Sequence, residues 1–539
     1  MKIGICQVNP TVGAISNNKH LVLDNYNKSV SMGAELVVFP ELVLSGYPPQ
    51  DLLLRKRFLA KAADALDEIA KHSSVPIILG NTLVENNELF NCSFLCEKGK
   101  IVGFYKKIFL PTYDVFDEDR YFKSGDRPRI FELNISGQVK RVGLQVCEDL
   151  WDHNYSKDLA ESIKKNGADI IINISASPYG EDRLIERSNL IKEKVQKTGL
   201  PFVYCNLVGS QDELIFDGQS LAYDQDGNLI AQGSAFKEDL LIADLKESSP
   251  IDLFSIKKEE SMYKGLTLGV KDYFLKTGHS QAVIGLSGGI DSSLTACIAV
   301  EALGKENVHG ISMPSKFSSA HSITDAELLA DNLGIDFREI PINTIIESFE
   351  ILMTSDLDKN NIGIAEENIQ SRIRGNILMT LSNKYNWLVL STGNKTELAM
   401  GYCTLYGDMN GGLSVISDLS KEDVYKISKW INASSYKIII PENSIAKPPS
   451  AELRPDQVDP FDYDIVSPLV SALIDNERSP SELVKNGADP DLVKDISKRI
   501  TLNEYKRRQA APGLRVSSKA FGMGRRVPIV NKFDELSNE

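Results

Sequence analysis

Residues 285–293 read Gly-Leu-Ser-Gly-Gly-Ile-Asp-Ser-Ser, and no other stretch limits so sharply what this chain can be. The apolar run Ala282-Val283-Ile284 precedes it and predicts a buried strand, while the apolar run at 294–300 predicts a helix. A strand, a glycine turn and a helix start make an anion site. Backbone N–H groups converge there, and the helix dipole favours negative charge. Gly288 and Gly289 would let a phosphate approach the backbone with no Cβ in the way. Ser287, Ser292 and Ser293 add hydroxyl donors. Asp291 is out of place among them unless a metal ion bridges it to the phosphates.

No lysine follows the glycines, so the loop is not of the Gly-x-x-x-x-Gly-Lys-Ser/Thr kind. It resembles the Ser-Gly-Gly-x-Asp-Ser loop of the ATP pyrophosphatases, which split ATP into AMP and pyrophosphate. Strands are predicted at 308–314, 337–341 and 387–392, with helices at 262–276, 324–333 and 366–384 between or before them. That alternation predicts a doubly wound parallel sheet with nucleotide across the carboxyl ends of its strands. Thr392 and Glu397 close the last strand. Thr392 is placed to meet ATP, and Glu397 to share a Mg²⁺ ion with Asp291. A basic run, Lys506-Arg507-Arg508, stands out in a chain of net charge −14 and suggests a clamp for an anionic substrate.

The first half has a different pattern. Apolar strands at 2–9, 36–39, 76–80, 142–146 and 170–175 alternate with helical spacing at 18–31 and 52–72, and a hairpin pattern spans 93–105. A layered α/β domain follows. Three strand ends carry Glu41, Lys107 and Cys147. A thiol needs a base to become a nucleophile, a carboxylate can take that proton and pass it to a departing amine, and an ammonium can stabilise an oxyanion. The domain joint is expected at 246–261, where mixed charges surround Ser248-Ser249-Pro250; the domains are then 1–245 and 262–539.

Composition narrows the classes. Apolar content of 42% and charged content of 25% are those of a soluble globular protein. The acidic balance argues against a general nucleic-acid binder. Seven scattered cysteines form no zinc pattern, and reduced thiols in a cytoplasmic setting are expected. No secretory h-region and no run of transmembrane length is expected.

The flanks Phe39-Pro40-Glu41, Tyr105-Lys106-Lys107 and Cys147-Glu148-Asp149-Leu150-Trp151 resemble the three signatures of the nitrilase (carbon–nitrogen hydrolase) superfamily. The resemblance implies an αββα sandwich with Glu41 as general base, Lys107 as oxyanion-stabilising cation and Cys147 as nucleophile. The stretch 110–118 is similar to that of the glutamine-hydrolysing branch, which implies glutamine contacts from Tyr113, Ser177 and Arg183. In the second half, the loop at 285–293 and the runs at 367–372, 391–397, 406–408 and 506–508 resemble the NAD⁺ synthetase family, in its glutamine-dependent form. That resemblance implies an adenine-nucleotide α-hydrolase-like sheet. ATP would be bound by Leu286, Ser287, Gly288, Gly289, Ile290, Asp291, Ser292, Ser293 and Thr392, and deamido-NAD⁺ by Asn368, Glu397 and Lys506. Mg²⁺ would sit on Asp291 and Glu397. It further implies an ammonia tunnel, small-molecule partners only (L-glutamine, ATP, deamido-NAD⁺ and ammonia), and no nucleic acid or membrane. A homo-oligomer is expected. Two alternatives stay open at this point: a tRNA-modifying ATP pyrophosphatase, and a regulatory protein whose amidase is gated by a nucleotide sensor.

Overall fold

Alternate residues along the strands of the first unit enter different cores, and that alternation builds its layers. In the strand Lys2–Gln7, Ile3 and Ile5 face one core and Cys6 another. Leu36 and Val38 face the same inner core as Ile3, with Val37 turned outward. In Ile170–Ser175, Ile170, Ile172 and Ile174 point inward and Ile171 outward. The inner core is therefore shared by two sheets. The outer cores are closed by helices Ile15–Ser31 and Lys56–His72 on one side and Leu159–Lys165 and Arg183–Thr198 on the other. The result is an αββα sandwich.

Each sheet has six strands. The first runs in the order Asp239–Asp244, Lys2–Gln7, Leu36–Val38, Ile77–Glu85, Glu88–Glu97, Lys100–Lys106. The second runs Leu229–Gln232, Leu221–Tyr223, Phe202–Asn206, Ile170–Ser175, Gln138–Val146, Ile130–Ile135. The three strands Lys2–Gln7, Leu36–Val38 and Ile77–Glu85 are mutually parallel, as are Gln138–Val146, Ile170–Ser175 and Phe202–Asn206.

The computed structural model describes residues 1–357, 362–455 and 457–536, and divides at Met1–Ile256 and Lys257–Glu539. The stretch expected as a joint is held against the first unit for most of its length. Ile251 donates its N–H to the Leu229 carbonyl, and Phe254 and Gln232 exchange two hydrogen bonds. Helix Lys258–Thr277 then opens the second unit.

That unit has a five-stranded sheet in the order Asp336–Glu339, Val308–Ser312, Ala282–Gly285, Leu388–Ser391, Leu413–Ser414, parallel throughout. Strand order reverses between Ala282–Gly285 and Leu388–Ser391, and such a switch point opens a crevice at the carboxyl edge. The loop at 285–293 lies there. Among the described residues, no helix is long and apolar enough to cross a membrane.

Candidate active sites

In the first unit, Glu41 and Lys107 follow the strands Leu36–Val38 and Lys100–Lys106 of one sheet, with neither exposed to solvent. Lys107 Nζ donates to Glu41 Oε1 at 2.8 Å and to Glu118 Oε1 at 2.9 Å. Glu41 also accepts from Asn91 Nδ2 at 2.7 Å and from the Ala176 N–H at 2.9 Å, so every oxygen is aimed by a donor. Burial opposes the charge on Lys107, but Glu118 and Glu41 more than offset it and hold the ammonium well above the ordinary lysine value. Burial pushes Glu118 up to about 7, against the pull of Lys107. Tyr47 donates to Glu118 Oε1 at 2.9 Å.

Cys147 ends the strand Gln138–Val146 in a left-handed conformation, φ 44°, and opens the 3₁₀ turn Cys147–Leu150. A left-handed non-glycine residue is costly and concentrates at functional sites. Burial and then the Glu41 charge drive its thiol well above the ordinary value, with Lys107 opposing them, so the resting sulfur is protonated. Asp149 ties this turn to the lysine segment. Its carboxylate accepts from the N–H groups of Val146, Ile108 and Phe109 and from the Tyr105 hydroxyl, at 2.8–3.1 Å. Burial nonetheless raises Asp149 to about 6.

The predicted glutamine contacts sit at different distances from this centre. Tyr113 donates to Glu148, which also accepts from Tyr155; Tyr155 stacks on Phe109 with ring centroids 4.0 Å apart. Ser177 follows Ala176, and its Oγ and carbonyl are gripped by Arg187, itself buried against Asp217. Arg183 pairs with Glu186 and lies over the Trp151 ring. Sequence reasoning assigned no role to Glu118, Asn91, Glu148 or Asp149. The signal was available for the last two, since consecutive buried acids after a strand need donors.

In the second unit, Gly288 has φ 73°, and a Cβ there would lie 2.1 Å from the Ser322 carbonyl oxygen. A protein backbone by itself therefore requires glycine here. Gly288→Ala is expected to destabilise this unit by about 2 kcal/mol or more, read as earlier unfolding in urea. Gly289 caps helix Ile290–Leu303 and presents its N–H to Ser287 Oγ. Ser292 and Ser293 turn their hydroxyls to the Gly289 carbonyl, at 3.0 and 2.8 Å, and so brace the loop from behind.

A cavity of about 570 Å³ is lined by Gly285, Leu286, Ser287, Gly289 and Thr392, and also by Asn368 and Lys506. Asn368 Oδ1 accepts from Thr404, and Lys506 Nζ donates to the Gly401 and Cys403 carbonyls. A smaller cavity of about 150 Å³ shares Ser287 and Gly289 with it and is lined by Ile290, Asp291, Glu397, Lys421 and Asp459. Gly288, Ser292 and Ser293 line neither.

Lys421 joins the two carboxylates: its Nζ lies 2.5 Å from Asp291 Oδ2 and 3.4 Å from Glu397 Oε1. Burial and the Asp291 charge raise Glu397 to about 8, against Lys421. Asn394 completes the arrangement, donating to Asp291 Oδ1 at 2.9 Å. Neither Lys421 nor Asn394 was singled out in the sequence. Lys421 is the first residue of helix Lys421–Ser434, where the dipole disfavours a cation, and that position is a signal for a buried acidic partner.

A sequence profile described as carbon-nitrogen hydrolase matches residues 2–249, and one described as NAD synthase matches 262–510. The chain is 42% identical to the glutamine-dependent NAD(+) synthetase of Synechocystis sp., over 98% of this chain and 99% of the relative. It is 40% identical to that of Thermotoga maritima, over 99% of each. Among solved structures, glutamine-dependent NAD+ synthetase from Acinetobacter baumannii in complex with adenosine diphosphate is 35% identical, with a TM-score of 0.78 over 98% of each chain. The synthetase structure from Cytophaga hutchinsonii, 23% identical, shares the fold at a TM-score of 0.84 over 98% of each chain. Likeness along whole chains, joined to a profile over each half, shows that the chain belongs to the glutamine-dependent NAD⁺ synthetases, a family of ligases.

Proposed function

We propose that the first unit releases ammonia from L-glutamine through Cys147 and that the second uses ATP and that ammonia to convert deamido-NAD⁺ to NAD⁺. One observation carries the reading: a single chain holds a buried thiol–ammonium–carboxylate set and a glycine loop facing a large cavity at a sheet switch point.

Glu41 takes the Cys147 proton as sulfur attacks the glutamine amide carbon, and returns it to the departing ammonia. Among the described residues the partners of Lys107 are Glu41 and Glu118. Its third N–H is free to meet the oxyanion. Glu118 and Asn91 hold Lys107 and Glu41 in place. Water then hydrolyses the thioester and glutamate leaves. Tyr113, Ser177 and Arg183 belong to the glutamine contacts in this reading, with Glu148 suited to a substrate ammonium.

In the second unit the nicotinate carboxylate of deamido-NAD⁺ attacks the α-phosphorus of ATP and expels pyrophosphate. Ammonia attacks the acyl adenylate, and AMP leaves. The loop at 285–293 and Thr392 bind ATP, and Asn368, Glu397 and Lys506 bind the dinucleotide. Asp291 and Glu397 suit Mg²⁺, which takes one or two carboxylates from a protein when phosphates and waters supply the rest. Both carboxylates face the Lys421 ammonium, and their combined negative charge supports this reading. Bound there, the ion would screen phosphate charge as pyrophosphate departs. All seven cysteines are unpaired, which supports a cytoplasmic setting. Exposed Ile351, Leu352 and Ile364 are apolar surface that a homo-oligomer would cover.

The test is a product balance. With glutamine, ATP and deamido-NAD⁺, the protein is expected to form NAD⁺, AMP and glutamate in equal amounts. Glutamate without AMP would favour a nucleotide-gated amidase, and adenylation of tRNA in place of deamido-NAD⁺ would favour the tRNA-modifying alternative.

A further inference from the structure

Lys395 is the first residue of the short helix Lys395–Met400 that carries Glu397, and its side chain is 2% exposed. A buried ammonium at a helix start is disfavoured twice, by desolvation and by the dipole. Here it is surrounded by acceptors. Four acceptors lie within reach of its three N–H groups: Asp418 Oδ1, Ser517 Oγ and the Lys519 carbonyl, each at 2.8 Å, and Asp475 Oδ1. Asp418 in turn accepts the N–H groups of Val516 and Ser517 at 2.8 and 2.7 Å. Leu514 and Val516 are fully buried, and Gly513 bridges to Ser414 beside the last sheet strand. The segment at 513–519 is thus a strap sewn into the sheet edge, although it lies beyond the matched NAD synthase region, which ends at 510.

On the other side, Lys395 abuts the carboxylate pair through its neighbour. Asn394 is fully buried. Its Nδ2 holds Asp291, its Oδ1 accepts the Glu397 N–H at 3.0 Å, and its own N–H donates to Glu397 Oε2 at 3.2 Å. One residue therefore aims both carboxylates, and the next pins that residue to the strap.

We propose that Lys395 is a positioning residue of the ligase site, through which the C-terminal strap sets the geometry of the Asp291–Glu397 pair. The proposal rests on reading that pair as the Mg²⁺ carboxylates. Outer-shell partners such as Asn394, through which Lys395 would act, change metal affinity by about 10- to 100-fold when removed.

Two full-length variants test it: Lys395→Met, and Lys395→Met with Asp475→Asn, which relieves one of the two acids that lose their ion pair. ATP binding is measured by calorimetry with Mg²⁺ and with EDTA. If wild-type protein gains nothing from Mg²⁺, the metal reading of the pair fails, and the proposal with it. Given that gain, both variants are expected to bind ATP in EDTA within about twofold of wild type and to lose about tenfold or more of the Mg²⁺-dependent increment. Glutamine hydrolysis by the first unit should be unchanged. A folded variant that keeps the increment overturns the proposal. An equal loss with and without Mg²⁺ also does so, because it would mark a general disordering of the cavity. Should neither variant fold, Ser517→Ala, which removes one acceptor from the strap, decides: an unchanged increment there is against the proposal.

Discussion

Cys147→Ala is expected to lose glutamine-supported NAD⁺ synthesis by about 10⁴-fold or more, because a nucleophile acts as a unit with its base and oxyanion donor. Ammonium salts should restore synthesis, since the loop at 285–293 and its cavity are built entirely from the second unit. Restoration should improve as pH rises and more free ammonia exists. Folding should hardly suffer. Asp149 holds the turn through the Val146 N–H and the 108–109 backbone, none of which the substitution touches. The protonated resting thiol adds a kinetic detail: a reagent selective for thiolates should label Cys147 slowly in the absence of glutamine. A folded variant that still uses glutamine well would remove the first unit from the reaction. One that fails with ammonia too would remove the division of labour.

Asp291→Asn and Glu397→Gln should each lower ligation by about a thousandfold, whether nitrogen comes from glutamine or ammonia. Each change leaves Lys421 with one carboxylate and phosphate charge without its counter-ion. Glutamine hydrolysis should persist, because no residue of the first site is touched. Burial and the Asp291 charge raise the Glu397 carboxyl, which favours its protonated form in the free protein. Binding of Mg·ATP should therefore expel a proton, visible as a heat that varies with the ionisation enthalpy of the buffer. Near-normal ligation in either variant would show that the pair does not hold the cation. A binding heat that ignores the buffer would show that Glu397 is already ionised.

What was legible in the sequence is what local physics controls. Apolar runs at strand period, cut by glycine or proline and followed by polar residues, marked Glu41, Lys107, Cys147 and the loop at 285–293 at strand ends, and a layered α/β domain and a doubly wound sheet followed, whereas the αββα order was implied only by the nitrilase resemblance. These patterns are short-range, because side-chain alternation and turn chemistry depend on a few neighbours.

Tertiary structure decided the partners. Glu118 lies eleven residues from Lys107 in sequence, but Glu41 lies 66 away and Asn91 is 50 from Glu41, so the buried cluster exists only once the sheet registers are set. Lys421 reaches Asp291 across 130 positions and Lys395 reaches Ser517 across 122. Gly288 likewise gains a reason that the sequence did not show, the nearby Ser322 carbonyl. Charged groups accept burial only where a distant segment supplies the opposite charge or the missing hydrogen bond, and sequence spacing carries no record of that encounter.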